Sequence, residues 1–390
     1  MAKNKKQDTN LIHAGSHPED QFGAVNPPIY HASTVTQESM AALAKARENR
    51  DTSFVYGRLG TPTSRAFEEA VTTLEGGDKC ISVGSGLSAI CTAMLAFVEH
   101  GDHILVCDSA YSPTRNLSEK FLRRFGVETT YYDPLVGAGI KDYFQAKTKT
   151  VYVESPGSHS FEVQDIPAIA KECRKAGIKV VMDNTWSAGY FFKPFEHGVD
   201  VSVQAATKYF VGHSDAMLGS VTTTDENFDA IRNSAHLLGY HASPDDAYLG
   251  LRGIRTLATR IKRHEKNALK VADWLRGRPE VEELRHPAFP SCPGHDIWRR
   301  DFSGSSGLFS VLLKEAPDEA VANLIDGLDL FALGASWGGY ESLVLRTQLT
   351  RSATNWNTKT PCVRFHIGLE DPDDLIDDLK AGLDRYMAAI

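Results

Sequence analysis

A lysine and an aspartate stand at the ends of two apolar, strand-like runs. Lys208 follows the run Val201–Gln204, and Asp183 comes directly after the run Lys179–Met182. Ligands of open α/β sheets collect at the carboxyl ends of the strands, so both side chains are expected to face one ligand. A lysine at such a place bonds covalently to carbonyl compounds, and a carboxylate pairs with a protonated ring nitrogen.

These two functional groups together fit one cofactor, pyridoxal phosphate. The lysine forms a Schiff base with the cofactor aldehyde, and the acid keeps the pyridinium nitrogen protonated so that the ring withdraws electrons. Taken alone, a lysine that follows a strand is normally a solvated surface residue. The assignment of Lys208 therefore depends on Asp183 and on a phosphate site nearby.

A glycine-rich turn is the candidate phosphate site. The run Ser82-Val-Gly-Ser-Gly86-Leu87-Ser-Ala joins a predicted strand to a predicted helix. Backbone N–H groups and the helix dipole favour an anion there. The same residues match the dinucleotide fingerprint GxGxxA, for which Asp108 is the candidate acid at the next strand end. A nicotinamide dinucleotide therefore stays open as an alternative ligand.

Two further residues have side chains suited to a cofactor or substrate. Tyr111 follows the strand-like run His103–Cys107, and an aromatic ring there either stacks on a flat heterocycle or packs in the core. Arg364 interrupts the apolar run Cys362–Ile367, where a guanidinium is costly unless it is paired. A substrate carboxylate bound bidentately would pair it, and so would a structural salt bridge.

The elements that must position these residues alternate between strand and helix from about residue 60 to 256. Such alternation predicts a mostly parallel sheet covered on both faces. The predicted strands of this part are Cys80–Val83, His103–Cys107, Thr150–Val153, Lys179–Met182 and Val201–Gln204, and the helices are Gly86–Val98, Pro113–Phe125 and Ile166–Ala176.

A long helix, Pro244–Arg276, leads into a second and smaller α+β part. The predicted elements there are strands Gly307–Leu313, Ser342–Arg346 and Cys362–Ile367 with helices Pro317–Ile325 and Asp371–Met387. We expect three parts: an arm over residues 1–60 that packs on a neighbouring subunit, a cofactor-binding domain over 61–256, and a C-terminal domain over 257–390 that includes the long helix.

Composition excludes several classes of partner. The net charge of −8 argues against nucleic acid and anionic membranes, both of which reward a basic face. No apolar run follows the lysines near the N-terminus, so we expect no secretory signal and a cytoplasmic protein. The six cysteines form no CxxC pair and the histidines no HExxH spacing, so no metal is predicted.

Several motifs occur between about Asp8 and the C-terminus in the same order as in a known enzyme family. The chain resembles the Cys/Met-metabolism pyridoxal-phosphate enzymes of the aspartate-aminotransferase fold (fold type I), and within them most closely the branch that acts on L-cystathionine by β-elimination. The motifs are Tyr56-Gly-Arg58-Leu-Gly-Thr-Pro-Thr, Leu74-Glu-Gly-Gly, Ala205-Ala-Thr-Lys208-Tyr-Phe-Val-Gly-His-Ser-Asp, Gly304-Ser-Ser-Gly-Leu-Phe-Ser, Ser336-Trp-Gly-Gly-Tyr-Glu-Ser and Arg364-Phe-His-Ile-Gly-Leu-Glu.

The resemblance implies a role for each candidate residue at the cofactor. Lys208 would carry the Schiff base, Asp183 would face the ring nitrogen, and Tyr111 would stack on the ring. The phosphate would be held by groups of five residues: the N–H groups of Gly86 and Leu87, the hydroxyl of Thr207, and Tyr56 and Arg58 from a neighbouring subunit. The active unit is then at least a homodimer, and a homotetramer is also expected.

The resemblance also implies the substrate site and the reaction. Arg364 would bind the α-carboxylate, with Ser336 and Trp337 lining that pocket. The expected reaction is β-elimination that converts L-cystathionine to homocysteine, pyruvate and ammonia, a step in methionine biosynthesis, with Lys208 or Tyr111 protonating the leaving sulfur.

Several alternatives stay open. They are γ-elimination or γ-replacement, a broad cysteine or cystine β-lyase, and a binding protein without catalysis. Ala335 and Leu59 depart from the usual pattern near the far end of the substrate, so they leave the preferred sulfur amino acid unresolved.

Overall fold

The computed structural model describes residues 5–356 and 359–390. Its large sheet has seven strands in the spatial order β1-β7-β6-β5-β4-β2-β3. The strands are β1 (Lys79–Val83), β2 (His103–Cys107), β3 (Glu128–Tyr132), β4 (Thr148–Glu154), β5 (Lys179–Asp183), β6 (Val201–Gln204) and β7 (Gly219–Thr223). Only β7 runs antiparallel to its neighbours, so the mostly parallel sheet is confirmed.

Two strands of the large sheet were absent from the sequence-based prediction. β3 (Glu-Thr-Thr-Tyr-Tyr) is an edge strand with a half-exposed, polar face. β7 (Gly-Ser-Val-Thr-Thr) is fully buried between β1 and β6, yet it carries small hydroxyl side chains instead of an apolar run. Burial of backbone hydrogen bonds by the neighbouring strands, and not hydrophobicity, fixes β7 in the sheet.

The helices of the described residues are partly those expected from the sequence. They are α1 (Gln7–His13), α2 (Met40–Glu48), α3 (Pro62–Glu75), α4 (Gly86–Leu95), α5 (Ser112–Asn116), α6 (Ile166–Ala176), α7 (Asp225–Leu237), α8 (Pro244–Arg276), α9 (His295–Asp301), α10 (Asp318–Asp326) and α11 (Pro372–Ala388). The bounds of α6 and α8 match the prediction, because Asp165 and Ser243 cap their first turns and a proline follows each cap. None of these helices combines the length and apolar character needed to cross a membrane.

Two helix predictions were wrong in extent. The helix expected to end at Val98 stops at Leu95. The helix expected over Pro113–Phe125 is a short α5 followed by a π-helical turn, Leu117–Phe121, and a 3-10 turn, Leu122–Phe125. The Ser118 hydroxyl donates to the Thr114 carbonyl at 3.0 Å, a bond that competes with the helical ladder and bends it.

A second, five-stranded sheet forms the smaller part of the chain in the order β10-β11-β12-β9-β8. Its strands are β8 (Val281–Arg285), β9 (Leu308–Leu313), β10 (Ala332–Leu333), β11 (Leu343–Thr347) and β12 (Cys362–His366). β9, β11 and β12 lie within one residue of the predicted strands, whereas the sequence did not indicate β8 or the two-residue β10. α10 and α11 pack on each other over this sheet.

Separate apolar clusters show that the large sheet is covered on both faces. Cys80 belongs to the cluster that contains Phe67 and Leu257, while its neighbours Ile81 and Val83 belong to the other. Successive residues of a strand point to opposite faces, so β1 is packed on both sides. The doubly covered α/β architecture expected from the alternation is therefore confirmed.

α8 crosses the chain segment just after Lys208 at very short range. A Cβ atom added to Gly253 would lie 2.1 Å from the Phe210 carbonyl oxygen and 2.4 Å from that of Val211. Only glycine permits this approach, because both obstructing atoms are backbone. The helix thus supports the loop that carries Lys208.

We expect Gly253→Ala to lower the free energy of unfolding by about 2 kcal/mol or more, because an overpacked backbone contact cannot relax by a rotamer change. Gly277→Ala is the matched control at the end of the same helix, where φ is −83° and the nearest obstructing atom is 3.5 Å away. Denaturant unfolding of both variants measures the difference. An equal effect of the two substitutions would contradict the close approach.

Candidate active site

Lys208 lies between the large sheet and a turn of the smaller part. Its Nζ donates a hydrogen bond to Ser336 Oγ at 2.6 Å and lies 5.4 Å from the ring centroid of Trp337. The next residue, Gly338, has φ +86°, and a Cβ there would be 2.9 Å from the Lys208 carbonyl carbon. The structure therefore brings together three of the predicted residues, Lys208, Ser336 and Trp337.

The Lys208 amine is a weaker base than an exposed lysine. Burial, and then the positive charge of Arg364, lower the pKa of Lys208 to about 8, while Asp183 acts in the opposite direction. A fraction of the amine is thus unprotonated near neutral pH. This is the form that bonds to a carbonyl and accepts a proton.

Asp183 is the last residue of β5, and each of its carboxylate oxygens accepts a hydrogen bond. Oδ1 accepts the Thr185 N–H at 3.0 Å, and Oδ2 accepts the Tyr152 hydroxyl at 3.4 Å. Burial raises the pKa of Asp183, and these hydrogen bonds oppose the rise. The fixed carboxylate matches the expected partner of a ring nitrogen.

Glu154 is a site residue that the sequence analysis did not select. It ends β4 opposite Asp183 in the parallel register, and its Oε2 accepts the backbone N–H of Tyr111 at 2.7 Å. Burial and the neighbouring Asp183 raise the pKa of Glu154 well above its usual range. The strand-end rule that selected Asp183 applies equally to Glu154 and would have found it.

Tyr111 is fixed by its backbone and leaves its ring accessible, with 42% of the residue exposed. Partial burial, Glu154 and Asp183 raise the pKa of Tyr111, and Arg364 opposes them. The hydroxyl is therefore neutral at ordinary pH and is a proton donor. Core packing, the other interpretation of this tyrosine, is not what the structure shows.

The glycine-rich turn begins α4. Ser85 and Ser88 cap each other, since the Ser85 hydroxyl accepts the Ser88 N–H at 3.1 Å and the Ser88 hydroxyl accepts the Ser85 N–H at 2.9 Å. The N–H groups of the next residues, Gly86 and Leu87, have no acceptor within a helix. A Cβ on Gly86 would lie 2.5 Å from Ala205 Cβ, so this candidate anion site lies against the loop that leads to Lys208.

Thr207 lies in the same loop, but its hydroxyl already has two backbone partners. It donates to the Leu218 carbonyl at 3.1 Å and accepts the Leu218 N–H at 2.9 Å. Both bonds link the Lys208 loop to the start of β7. A phosphate contact from this hydroxyl would replace the bond to the carbonyl.

Arg364 is buried on β12, with 6% of the residue exposed. Its Nη2 donates to the Ser336 carbonyl at 3.2 Å, and no ion pair with a carboxylate is found for it within residues 5–356 and 359–390. Burial lowers the pKa of Arg364 to about 10. A buried cation without an anionic partner is costly, so this guanidinium favours an anionic ligand over the structural salt bridge.

Among the described residues, Tyr56 and Arg58 make no hydrogen bond or ion pair with Lys208. They line a different cavity of about 420 Å³, together with Leu59 and His236. Arg58 Nη1 donates to the His236 carbonyl at 3.0 Å. None of the other nine predicted site residues lines this cavity.

Asp108, the acid that a dinucleotide would need, is already fully engaged. Its carboxylate accepts hydrogen bonds from three successive backbone N–H groups, those of Ser352, Ala353 and Thr354, at 2.8–2.9 Å. It also forms an ion pair with Arg115 at 3.0 Å. No acceptor is left for a ribose hydroxyl. The structure thus removes the support for the nicotinamide alternative.

The remaining residues fit pyridoxal phosphate. An amine of lowered pKa, a fixed carboxylate and an N-terminal helical turn come together at the ends of β5 and β6. Their chemistry matches the aldehyde, the ring nitrogen and the phosphate of that cofactor in turn. Within the described ranges, no cluster of three His, Cys, Asp or Glu side chains offers a metal site.

Comparisons with known proteins agree with this assignment. The family model for the Cys/Met metabolism PLP-dependent enzymes matches residues 8–384. Cystathionine beta-lyase MetC of Escherichia coli is 44% identical over 98% of this chain and 99% of its own, and cystathionine beta-lyase of Salmonella typhimurium is 42% identical over 98% and 99%.

A solved structure shows the same fold. The crystal structure of metB from Corynebacterium glutamicum superposes with a TM-score of 0.90 at 33% identity, covering 98% of each chain. The aspartate-aminotransferase-like α/β fold expected from the sequence is thereby confirmed. The chain belongs to the Cys/Met metabolism family of pyridoxal-phosphate-dependent enzymes.

Proposed function

We propose that this protein is a cystathionine β-lyase, which splits L-cystathionine into homocysteine, pyruvate and ammonia. The main observation behind the proposal is that Ser336 contacts both an amine of lowered pKa, Lys208, and a buried cation, Arg364. Two relatives named as cystathionine β-lyases align with almost the whole chain at 42–44% identity and support the same conclusion.

Substrate binding is assigned to Arg364 and its turn. The guanidinium takes the α-carboxylate in a bidentate contact, which supplies the anion that its burial requires. Ser336 then stands between the bound carboxylate and Lys208, because its carbonyl contacts Arg364 and its hydroxyl contacts Lys208. Trp337 closes the pocket beside the amine.

Cofactor binding is assigned to Asp183, the N–H groups of Gly86 and Leu87, and the Thr207 hydroxyl. When bound, pyridoxal phosphate withdraws electrons from the substrate and makes its Cα proton acidic. Asp183 holds the ring nitrogen protonated, and Glu154 holds Tyr111 in place through the backbone contact. Tyr111 would stack on the cofactor ring.

Proton movement is assigned to Lys208 and Tyr111. The unprotonated Lys208 amine removes the Cα proton, and the carbon–sulfur bond breaks with its electron pair on sulfur. Sulfur takes a proton from the Lys208 ammonium or from the neutral Tyr111 hydroxyl and leaves as homocysteine. The released three-carbon enamine adds water and gives pyruvate and ammonia.

The product distinguishes this reaction from the rest of the family. β-Elimination from L-cystathionine gives pyruvate, whereas γ-elimination gives 2-oxobutyrate. We expect pyruvate in an assay of the purified protein with L-cystathionine and pyridoxal phosphate. 2-Oxobutyrate as the main product would contradict the proposal, and parallel assays with cysteine and cystine rank the substrates.

Assembly into dimers or tetramers is a further part of the proposal. Tyr56 and Arg58 line a cavity that includes neither Lys208 nor Asp183, which supports a role for them at the site of another subunit. Phe22, Val25 and Met40 are large apolar residues left strongly exposed by the N-terminal segment, which is typical of a covered interface. The buried, free thiols of all six cysteines support a reducing, cytoplasmic location.

Lys208→Ala is expected to abolish both pyruvate formation and the visible absorbance of the bound cofactor, because one amine serves both. Lys193→Met is the matched control: burial also lowers the pKa of Lys193 to about 8, but its amine donates to the Leu74 and Gly189 carbonyls. The control variant should keep the absorbance. Turnover retained by the Lys208→Ala variant would exclude the assignment of Lys208.

The reaction of the cofactor-free protein with pyridoxal phosphate should depend on pH. We expect its rate to rise as pH increases through about 8, since only the unprotonated Lys208 amine reacts. Arg364→Gln removes a positive charge, so the rise moves to higher pH; Asp183→Asn removes a negative charge, so it moves to lower pH. Stopped-flow absorbance measures both shifts, and a rate independent of pH from 6 to 10 (roughly the range that spans this pKa) would refute the prediction.

Subunit mixing tests the position of Arg58. Lys208→Ala and Arg58→Ala are each expected to be inactive, but a hybrid dimer of the two contains one intact site and should recover about half the wild-type activity. Co-expression with two affinity tags isolates the hybrid. A dimer in which both subunits carry Lys208→Ala is the control. No recovery in the hybrid would show that Arg58 acts within its own subunit.

A further inference from the structure

His366 contacts the turn that carries the substrate-binding groups. It lies on β12 two residues after Arg364, and its Nε2 is 3.1 Å from both the Gly338 backbone nitrogen and the Gly339 carbonyl oxygen. As an acceptor the nitrogen binds the first, and as a donor it binds the second. In either neutral tautomer the ring is therefore bonded to the turn.

This turn, residues 336–339, touches both of the proposed functional cations. Ser336 meets Lys208 through its hydroxyl and Arg364 through its carbonyl. Gly338 approaches the Lys208 backbone so closely that a Cβ would not fit. A displacement of the turn would therefore change the environment of Lys208 and Arg364 together.

The imidazole is held neutral in a fully buried position, with 1% of the residue exposed. Burial lowers the pKa of His366 well below its usual range, and the neighbouring His264, Arg364 and Lys208 act in the same direction. The rings of His264 and Tyr209 lie 5.2 and 6.0 Å from it, centroid to centroid. His366 therefore stays neutral over the pH range in which Lys208 titrates, and its hydrogen bond to the turn 336–339 is unchanged there.

Packing alone does not explain a histidine at this place. Burying a polar ring is unfavourable unless its nitrogens are hydrogen-bonded, and an apolar residue would fill the same volume without that cost. Nε2 makes its bonds to the turn, whereas Nδ1 finds no partner among the residues that the structure describes. The bond to the turn is what the histidine contributes.

We propose that His366 is a positioning residue that holds the turn 336–339 in register with Lys208 and Arg364. The inference rests on the function proposed above for those two residues. His366 itself touches neither substrate nor cofactor. Its effect reaches the reaction through the backbone of Gly338 and Gly339.

The test compares His366→Phe, which keeps the ring but loses the nitrogen, with His366→Gln, which returns a polar group to the reach of Nε2. We expect His366→Phe to bind the cofactor with normal absorbance but to lose about 100-fold in kcat/KM for L-cystathionine, the loss typical of a misplaced binding group. The kcat/KM of His366→Gln should be at least about tenfold higher than that of His366→Phe. The effect should fall on KM as well as kcat, since Arg364 bonds to the Ser336 carbonyl of this turn.

His286→Phe is the matched control, because His286 is also buried in the smaller part and accepts a backbone N–H, from Ala288 at 3.1 Å, away from the site. It should lower the unfolding temperature without changing kcat/KM. If His366→Phe does not fold, His366→Asn, which has a shorter reach, replaces it and should fall below His366→Gln.

Two results would overturn the inference: kcat/KM within about threefold of wild type for His366→Phe, or equal losses for His366→Phe and His366→Gln. Failure of the proposed function itself appears differently, as wild-type protein that gives no pyruvate. The wild-type assay is therefore run first.

Discussion

The burial of one amine organises this structure. Lowering the pKa of Lys208 from 10.5 to about 8 corresponds to about 3 kcal/mol of lost preference for the charged form. The protein maintains that burial with the turn 336–339 on one side and the loop from β6 on the other. Helix α8 supports that loop through Gly253, and Thr207 ties it to β7. The two parts of the chain thus meet at Lys208, the residue proposed to carry the chemistry.

The second constraint is the pairing of strand ends. β4 and β5 place Glu154 and Asp183 side by side, and two carboxyl groups so close together cannot both ionise readily. Asp183 has two hydrogen-bond donors that favour its charged form, whereas Glu154 serves the backbone of Tyr111. We propose that Asp183 faces the cofactor, and Glu154 fixes Tyr111 through its backbone.

The sequence predicted the parts of the fold that have strong local signals. α6 and α8 each have a capping residue and a proline in the first turn, so their bounds were predictable. The strands β2, β5 and β6 were predictable because each contains a short apolar run. β7 was missed because its buried side chains are mostly serine and threonine, and its place depends on pairing with β1 and β6. The change to π-helical and 3-10 turns after α5 coincides with a side-chain bond from Ser118 to the Thr114 carbonyl, which no periodicity records.

The candidate site was predictable where a residue type and a strand end coincide. Lys208 and Asp183 met that condition, and so did Glu154, which was overlooked. His366 and Gly338 could not be assigned from sequence, since their importance lies in a contact between β12 and a turn about thirty residues earlier. The roles proposed for Tyr56 and Arg58 require a second subunit, so neither the sequence pattern nor one folded chain determines them.

The central claim is that the cofactor bonds to Lys208. Borohydride reduction of the protein loaded with pyridoxal phosphate, followed by proteolysis and mass spectrometry, locates the bond directly. We expect the added mass on the peptide that contains Lys208 and on no other. Label on Lys193, a partly buried lysine whose pKa is also lowered to about 8, or on no lysine at all, would contradict this assignment.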